Sequence, residues 1–188
     1  GDNQTAIGWL EQLPESEETQ TALNRAVYAY AEQLAVDGQK EAAATEFYSL
    51  GTYQDAADRG NALEYELAVS ERAGDVHSAL DRFEALGDYG DAAEQADACR
   101  YDIAKEAMEA GELQDALDAF EAMGDYGDAA EQATRCRYLM ARQTMEAGEY
   151  DEAIALYEAC GAYQDAEDGA MQARYARAAA WFDAQEYD

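Results

Sequence analysis

The chain has 188 residues, with 42 aspartates and glutamates against 12 lysines and arginines, which gives a formal net charge of −30 at pH 7. A surface of this sign repels phosphate backbones and anionic lipids, so nucleic acid and membrane surfaces are excluded as expected partners. The hydrophobic content of 48% suffices for a buried core, and an alanine-rich sequence with a single proline predicts an all-α fold without strands.

The first predicted element is a short helix over residues 2–13. Three of its apolar residues recur 37 positions later in the chain: Ala6, Leu10 and Leu13, followed by Ala43, Phe47 and Leu50. Because these positions recur at a fixed offset, the segment is interpreted as the short helix of an incomplete repeat. Pro14 takes the turn position that follows it.

Four copies of the phrase Gly-x-Tyr-x-Asp-Ala follow, and their glycines are 36, 37 and 37 residues apart: Gly51, Gly87, Gly124 and Gly161. A second glycine stands thirteen residues before each of these, with an alanine five positions and an aromatic residue nine positions after it. A tyrosine follows each phrase glycine by fourteen residues. This period predicts tandem units, each with a short helix of about 11 residues, a tight turn and a longer helix of about 18.

The predicted units fill one domain over residues 1–188. Four of them are complete: 17–50, 54–86, 90–123 and 127–160. Residues 164–188 are predicted to form a terminal helix and a truncated repeat, whose next short helix begins at Gln185–Asp188. One spacing is irregular, since Tyr65 and Gly74 are nine residues apart where the other copies have ten. This predicts a bulge or an early end in that helix.

Two residues of the phrase have predicted local roles. Its glycine is expected to close a helix in the left-handed conformation. Its aspartate is expected to cap the next helix, and an acid three residues later completes a capping box. The four pairs are Asp55 with Asp58, Asp91 with Glu94, Asp128 with Glu131 and Asp165 with Asp168.

The stretch Gly148–Ile154, with Tyr157 after it, resembles the turn and second helix of the tetratricopeptide repeat, and the likeness recurs in four copies. The first helix of the unit departs from the pattern of that family. The small residue that the family has in mid-helix corresponds to Ala141, and the aromatic residue that follows it in the family corresponds to Thr144. The variant is similar to repeats of bacterial, often surface-associated, multidomain proteins. The resemblance implies a right-handed α-α superhelix with a concave face formed by the first helices. It also favours an extracytoplasmic or membrane-anchored location.

A tyrosine recurs at one position of the long helices, at Tyr28, Tyr65, Tyr101, Tyr138 and Tyr175. These rings could line one face and stack on a ligand. The alternative is that they pack between adjacent repeats, because a position kept in every repeat is first explained by what every repeat needs.

The cations are unevenly placed, since ten of the 12 lie on the predicted long helices. If these helices line a groove, their cations would suit an anionic peptide or a C-terminal carboxylate as the ligand. The alternative is pairing with acids four residues away, for example Arg142 with Glu146. The residues expected to bind a partner are Tyr101, Lys105, Arg137, Tyr138, Arg142 and Tyr175.

Metal sites, cofactors and catalysis are not expected. The acids of the turns, such as Asp88 with Asp91 or Asp125 with Asp128, match no calcium loop and are explained by capping. Three cysteines without paired spacing indicate core residues rather than disulfides or a zinc site: Cys99, Cys136 and Cys160. The only histidine, His77, has no nucleophile at a suggestive spacing. No apolar run reaches the roughly 20 residues that span a bilayer.

The sequence therefore predicts a non-enzymatic scaffold that binds a protein or peptide on the concave face of a helical repeat. The alternative is a structural spacer within a larger bacterial surface protein.

Overall fold

The computed structural model describes residues 3–185, which form ten α-helices and no strand. Their bounds are α1 Asn3–Leu10, α2 Glu17–Val36, α3 Lys40–Ser49, α4 Ala56–Glu71, α5 Val76–Leu86, α6 Ala92–Ala110, α7 Leu113–Met123, α8 Ala129–Ala147, α9 Tyr150–Cys160 and α10 Ala166–Gln185. From α2 onward, long helices of 16 to 20 residues alternate with short helices of 10 or 11. The predicted all-α fold is confirmed, and apart from Gln185 the truncated repeat at the end of the chain lies outside the described residues.

The chain divides into two compact units, Gly1–Cys99 and Arg100–Asp188, and the boundary falls inside α6. In the first unit, each helix from α1 to α4 packs against the next helix along the chain. In the second unit, α7 packs on α8, α8 on α9 and α9 on α10. Packing between consecutive helices is compatible with a helical repeat.

The core is built from the residues that recur. The alanine five positions after each second glycine is fully buried in every copy, at Ala43, Ala79, Ala116 and Ala153. The aromatic residue four positions later is also buried, at Phe47, Phe83, Phe120 and Tyr157. A small residue beside a large one allows the short helix to lie close to the long helices, and the aromatic ring buries a large apolar area.

The turn before each long helix differs from the predicted cap. Gly124 has the expected positive φ of 57°, but its ψ of −116° lies outside the left-handed helical region. The turn is closed by backbone bonds, since Tyr126 N–H donates to the Met123 carbonyl and Ala129 N–H donates to the Tyr126 carbonyl. The predicted side-chain caps are wrong at Asp55 and Asp128, because neither carboxylate accepts a bond from the helix backbone.

The irregular helix ends early, as its spacing predicts. The helix α4 ends at Glu71, three residues before Gly74, whereas α8 continues to Ala147 and ends on Gly148 with a φ of 82°. After the longer turn, the Asp75 carboxylate accepts a bond from the Ser78 N–H and caps α5. The repeat whose spacing is one residue shorter therefore has a shorter long helix and not a bulge.

Candidate functional site

The recurring tyrosine and the recurring aspartate of the phrase are partners. In four repeats the tyrosine hydroxyl of one long helix donates to the aspartate that precedes the next long helix. The pairs are Tyr28 with Asp55, Tyr65 with Asp91, Tyr101 with Asp128 and Tyr138 with Asp165. The oxygen-to-oxygen distance is 2.5 Å for the first two pairs. At Asp55 and Asp128, the aspartate that was predicted to cap a helix instead ties that helix to the preceding long helix.

The tyrosine rings pack between aromatic neighbours. The ring of Tyr138 meets the rings of Tyr157 in α9 and Tyr163 in the following turn, with centroid distances of 5.9 and 5.7 Å and edge-on geometry. Tyr101 has the equivalent neighbours, Phe120 at 5.6 Å and Tyr126 at 6.0 Å. This is the packing role that the sequence left open as the alternative to ligand stacking.

Three of these hydrogen bonds, those of Asp55, Asp91 and Asp128, shift the pKa values of both partners. The Tyr101 hydroxyl, with a smaller contribution from Gln132, lowers the pKa of Asp128 because it stabilises the carboxylate. In return, the bond to Asp128, together with burial, raises the pKa of Tyr101 to about 12. The bonds from Tyr28 and Tyr65 likewise lower the pKa values of Asp55 and Asp91. The tyrosines therefore act as neutral donors and the aspartates as charged acceptors.

Several cations of the described residues form ion pairs between helices. These pairs are Lys40 with Glu66, Arg59 with Glu32, Arg137 with Glu121, Arg174 with Glu158 and Arg177 with Asp151. The partners are 16 to 27 residues apart in the chain, not four as the sequence alternative proposed. Within the described range, Arg142 and Glu146 form no ion pair.

The guanidinium of Arg82 in α5 lies among three carboxylates. Glu41 of α3, Glu64 of α4 and Glu71 of α4 lie 2.9, 2.6 and 2.8 Å from its nitrogens. The bond to Glu71 is the main reason that the pKa of Arg82 is raised above its ordinary value. Arg82 therefore links three consecutive helices of the first unit.

The six residues expected to bind a partner have different surroundings. Tyr138 is buried and Tyr101 half-buried, and Arg137 is occupied by Glu121. Lys105 is exposed, and its ammonium nitrogen is 5.9 Å from the centroid of the Tyr101 ring.

Arg142, at the same repeat position as Lys105, is also exposed and acts electrostatically on Tyr138. Tyr175 is 78% exposed. The structure thus joins two of the tyrosines to nearby cations and leaves Tyr175 apart on α10.

Two grooves that the sequence did not predict lie between successive short helices of the first unit. The α1–α3 groove, of about 600 Å³, includes Ile7, Leu23, Val27 and Leu50, and Glu11 and Glu46 also line it. The α3–α5 groove, of about 430 Å³, includes Tyr48, Asn61, Glu64 and Arg82. A long helix contributes to each, α2 in the first and α4 in the second.

One sequence signal could have indicated the α1–α3 groove. Val27 stands at a repeat position that is charged in the later copies, at Glu64, Arg100, Arg137 and Arg174. An apolar residue at a position that is otherwise charged indicates a local use beyond the needs of the repeat.

The remaining candidates have ordinary surroundings. All three cysteines are free and buried, as predicted, and burial raises the pKa values of the Cys136 and Cys160 thiols. His77 is exposed. Among residues 3–185, no group of three or more metal-binding side chains comes together. None of the helices in that range combines the length and the apolar character needed to cross a bilayer.

No family model, no curated protein and no solved structure matches this chain. The fold therefore defines its class as an all-α protein whose helices pack consecutively, in a manner compatible with a helical repeat.

Proposed function

We propose that this chain is a non-enzymatic scaffold that binds a protein or peptide. Its helices are proposed to form tetratricopeptide-like hairpins in a right-handed superhelix, as the sequence resemblance implies. The observation that carries the proposal is the α1–α3 groove. It combines aliphatic side chains with carboxylates, which is the combination that holds an amphipathic segment by apolar contact and selects it by charge.

The charges favour a cationic segment as the occupant of this groove. Glu11 and Glu46 are among its lining residues, and of the described residues no lysine or arginine lines it. In the α3–α5 groove, Arg82 is already paired with Glu64, so its charge is compensated. A basic peptide with interspersed apolar side chains therefore fits these grooves better than the anionic peptide or C-terminal carboxylate expected from the sequence. The anionic alternative depends on Lys105 and Arg142.

Selection from a displayed library of random short peptides tests this proposal. Peptides that bind the chain are expected to be enriched in lysine or arginine together with leucine or other apolar residues. The double variant Glu11→Lys/Glu46→Lys should lose these peptides, because it reverses the charge of the groove. The matched control is Glu106→Lys/Glu109→Lys, which makes the same change at two exposed residues of α6.

The control variant should bind a selected, labelled peptide with the affinity of the wild type, as measured by fluorescence anisotropy. Enrichment of acidic peptides that depend on Lys105 and Arg142 would favour the anionic alternative. Loss of binding in both double variants would indicate a non-specific charge effect and not the α1–α3 groove.

A spacer within a bacterial surface protein is the second candidate. This candidate is favoured because the recurring residues are engaged in contacts between helices. The buried alanine, the buried aromatic residue and the tyrosine–aspartate pair all hold helices together. A module that serves only as a spacer requires nothing more. No enrichment of any peptide class over the unselected library would favour this candidate over the scaffold.

A further inference from the structure

The α3–α5 groove contains a tyrosine and a glutamate where the second unit has an ion pair. In the second unit, a glutamate of each short helix pairs with an arginine 16 residues later on the following long helix. These pairs are Glu121 with Arg137 and Glu158 with Arg174. The equivalent residues of α3 and α4 are Tyr48 and Glu64. An aromatic ring therefore replaces the acid of this pair, and an acid replaces its cation.

The residues around Tyr48 are matched to its ring. Gly60 stands where the later copies have alanine, at Ala96, Ala133 and Ala170. A Cβ atom at Gly60 would lie 2.8 Å from the ring of Tyr48, which is closer than a side chain allows. The Tyr48 hydroxyl donates to the Asn61 side-chain oxygen at 2.9 Å. Burial and then the charge of Glu64 raise the pKa of Tyr48, yet 42% of the residue stays exposed.

The groove carries an excess of negative charge. Each of the three guanidinium nitrogens of Arg82 donates to a different carboxylate, and the acceptors are Glu41, Glu64 and Glu71. Arg82 binds only one of the two oxygens of Glu64, so the other can accept a further hydrogen bond. Asp81 also lines the groove, is exposed and forms no ion pair with any described residue. These acids outnumber the one cation, which favours a cationic ligand.

We propose that the α3–α5 groove binds an arginine side chain of a basic partner segment. The guanidinium lies on the exposed part of the Tyr48 ring and donates to Glu64 and Asp81. Arginine fits this place better than lysine, because its planar group stacks on an aromatic ring and its forked donors match a carboxylate. The assignment rests on the proposed function for the basic character of the partner, and it adds a second groove and a specific side chain.

Arg59 shows the same mode of recognition within the first unit. Its guanidinium carbon lies 5.5 Å from the centroid of the Tyr28 ring, and one of its nitrogens donates to Glu32. The arginine of the partner makes the same two kinds of contact with Tyr48 and Glu64. The difference is that another molecule supplies it.

NMR titration of the full chain with N-acetyl-arginine amide tests the proposal. This probe carries the guanidinium but neither a free carboxylate nor a free amine. At pH 7 and low ionic strength, the Asn61 side-chain amide and the Tyr48 ring signals should shift and saturate. N-acetyl-lysine amide should bind at least about threefold more weakly, because it lacks the planar group that stacks on the ring.

The double variant Tyr48→Glu/Glu64→Arg tests the groove and preserves the local packing. It introduces the glutamate–arginine pair that the second unit has at this place. The arginine of the chain then occupies the position of the ligand, so the arginine probe should no longer shift the Asn61 amide. Circular dichroism verifies that the helical content is unchanged. The matched control Glu106→Gln makes the same net change in charge at an exposed residue of α6 and should bind as the wild type does.

A single substitution provides a second, independent variant. Asp81→Asn removes one exposed carboxylate of the groove and should weaken binding of the arginine probe by roughly threefold, because a charge-assisted hydrogen bond is lost. Free arginine should also bind more weakly than the capped amide, since its carboxylate is repelled by the acids of the groove.

Five results would overturn the proposal. They are wild-type signals of Asn61 and Tyr48 that do not saturate, a probe that binds the double variant or Asp81→Asn as well as the wild type, equal affinity for the lysine probe, equal loss in the Glu106→Gln control, and tighter binding of free arginine, which would indicate a small-molecule site. The peptide selection described above uses other ligands and varies the α1–α3 groove. Failure of the titration and failure of the proposed function are therefore distinguishable.

Discussion

The junction of α8 with α9 and the exposed face of α10 contain the same residue at the same repeat position. Tyr138 is 8% exposed, and its hydroxyl is bound by Asp165. Tyr175 is 78% exposed. The difference arises from the segment that follows α8, since Tyr157 of α9 and Tyr163 of the next turn pack against the ring of Tyr138. A recurring residue of this repeat therefore becomes structural only where a following short helix covers it.

Alanine substitution of the two tyrosines should give the largest difference in the free energy of unfolding. Tyr138→Ala removes a buried ring from the α8–α9 core and should lower the free energy of unfolding by about 3 kcal/mol or more. Tyr175→Ala should change it by less than about 0.5 kcal/mol, because the ring is exposed. Urea denaturation followed by circular dichroism measures both. Equal losses in the two variants would show that burial does not distinguish the two positions.

The same comparison between less exposed and more exposed positions applies to the ion pairs. Arg82→Met leaves three nearby glutamates without their shared cation and should cost roughly 1–3 kcal/mol. Arg177→Met breaks a pair whose side chains are 51% and 83% exposed, and should cost less than about 1 kcal/mol. Thermal denaturation ranks the two variants. Raised salt should reduce the smaller effect further, since exposed charges are screened.

The turns that precede α8 and α10 provide a smaller test. Gly127 has a φ of 53° and the equivalent Gln164 a φ of 50°, which is a strained conformation for any residue with a side chain. Gln164→Gly should stabilise the second unit by about 0.5–1 kcal/mol after the added freedom of the unfolded chain is subtracted. Gly127→Gln should destabilise it by a similar amount. Denaturation midpoints that move in the same direction for both variants would contradict this account of the turn.

Alkaline titration tests the tyrosine–aspartate bond by its effect on protonation. The pKa of Tyr101 is raised from 10.0 to about 12, mainly by Asp128. Because the unfolded chain loses this proton first, the contribution to stability is complete below pH 10 and is lost as the pH rises through about 12. In Asp128→Asn, the absorbance change of Tyr101 ionisation should move to lower pH. An unchanged titration curve would mean that Asp128 does not hold the proton on Tyr101.

Much of the architecture could be predicted from the sequence because its causes are local or periodic. The glycines and buried alanines recur at fixed spacing, so they mark the turns and the close helix contacts. The missing residue between Tyr65 and Gly74 also has a local result, which is the early end of α4 at Glu71. The sequence prediction was correct in each of these cases.

The partners of the polar side chains could not be predicted in the same way. Asp128 precedes a helix, so capping is the nearest local explanation, yet its carboxylate accepts from Tyr101, 27 residues earlier in the chain. Arg137 likewise pairs with Glu121 of the preceding helix, 16 residues earlier in the chain. These contacts depend on how two helices lie against each other, which the spacing along one helix does not specify.

The α1–α3 groove was missed for a related reason. A search for recurring residues gives weight to positions that are the same in every copy, and Val27 differs from its equivalents. The candidate residues chosen by recurrence, Tyr101 and Tyr138, are engaged in packing. In this molecule, a residue that departs from the repeat therefore marks the groove that we propose as the binding surface.

A double-substitution cycle on Tyr101 and Asp128 measures most directly whether the recurring tyrosine and aspartate act as one structural element. Tyr101→Phe, Asp128→Ala and the double variant would be compared with the wild type by urea denaturation at pH 7. If the hydroxyl and the carboxylate stabilise the fold through each other, the double variant loses little more than the larger single loss, because either change removes the bond. Losses that simply add would show that the two side chains act independently and would contradict the account.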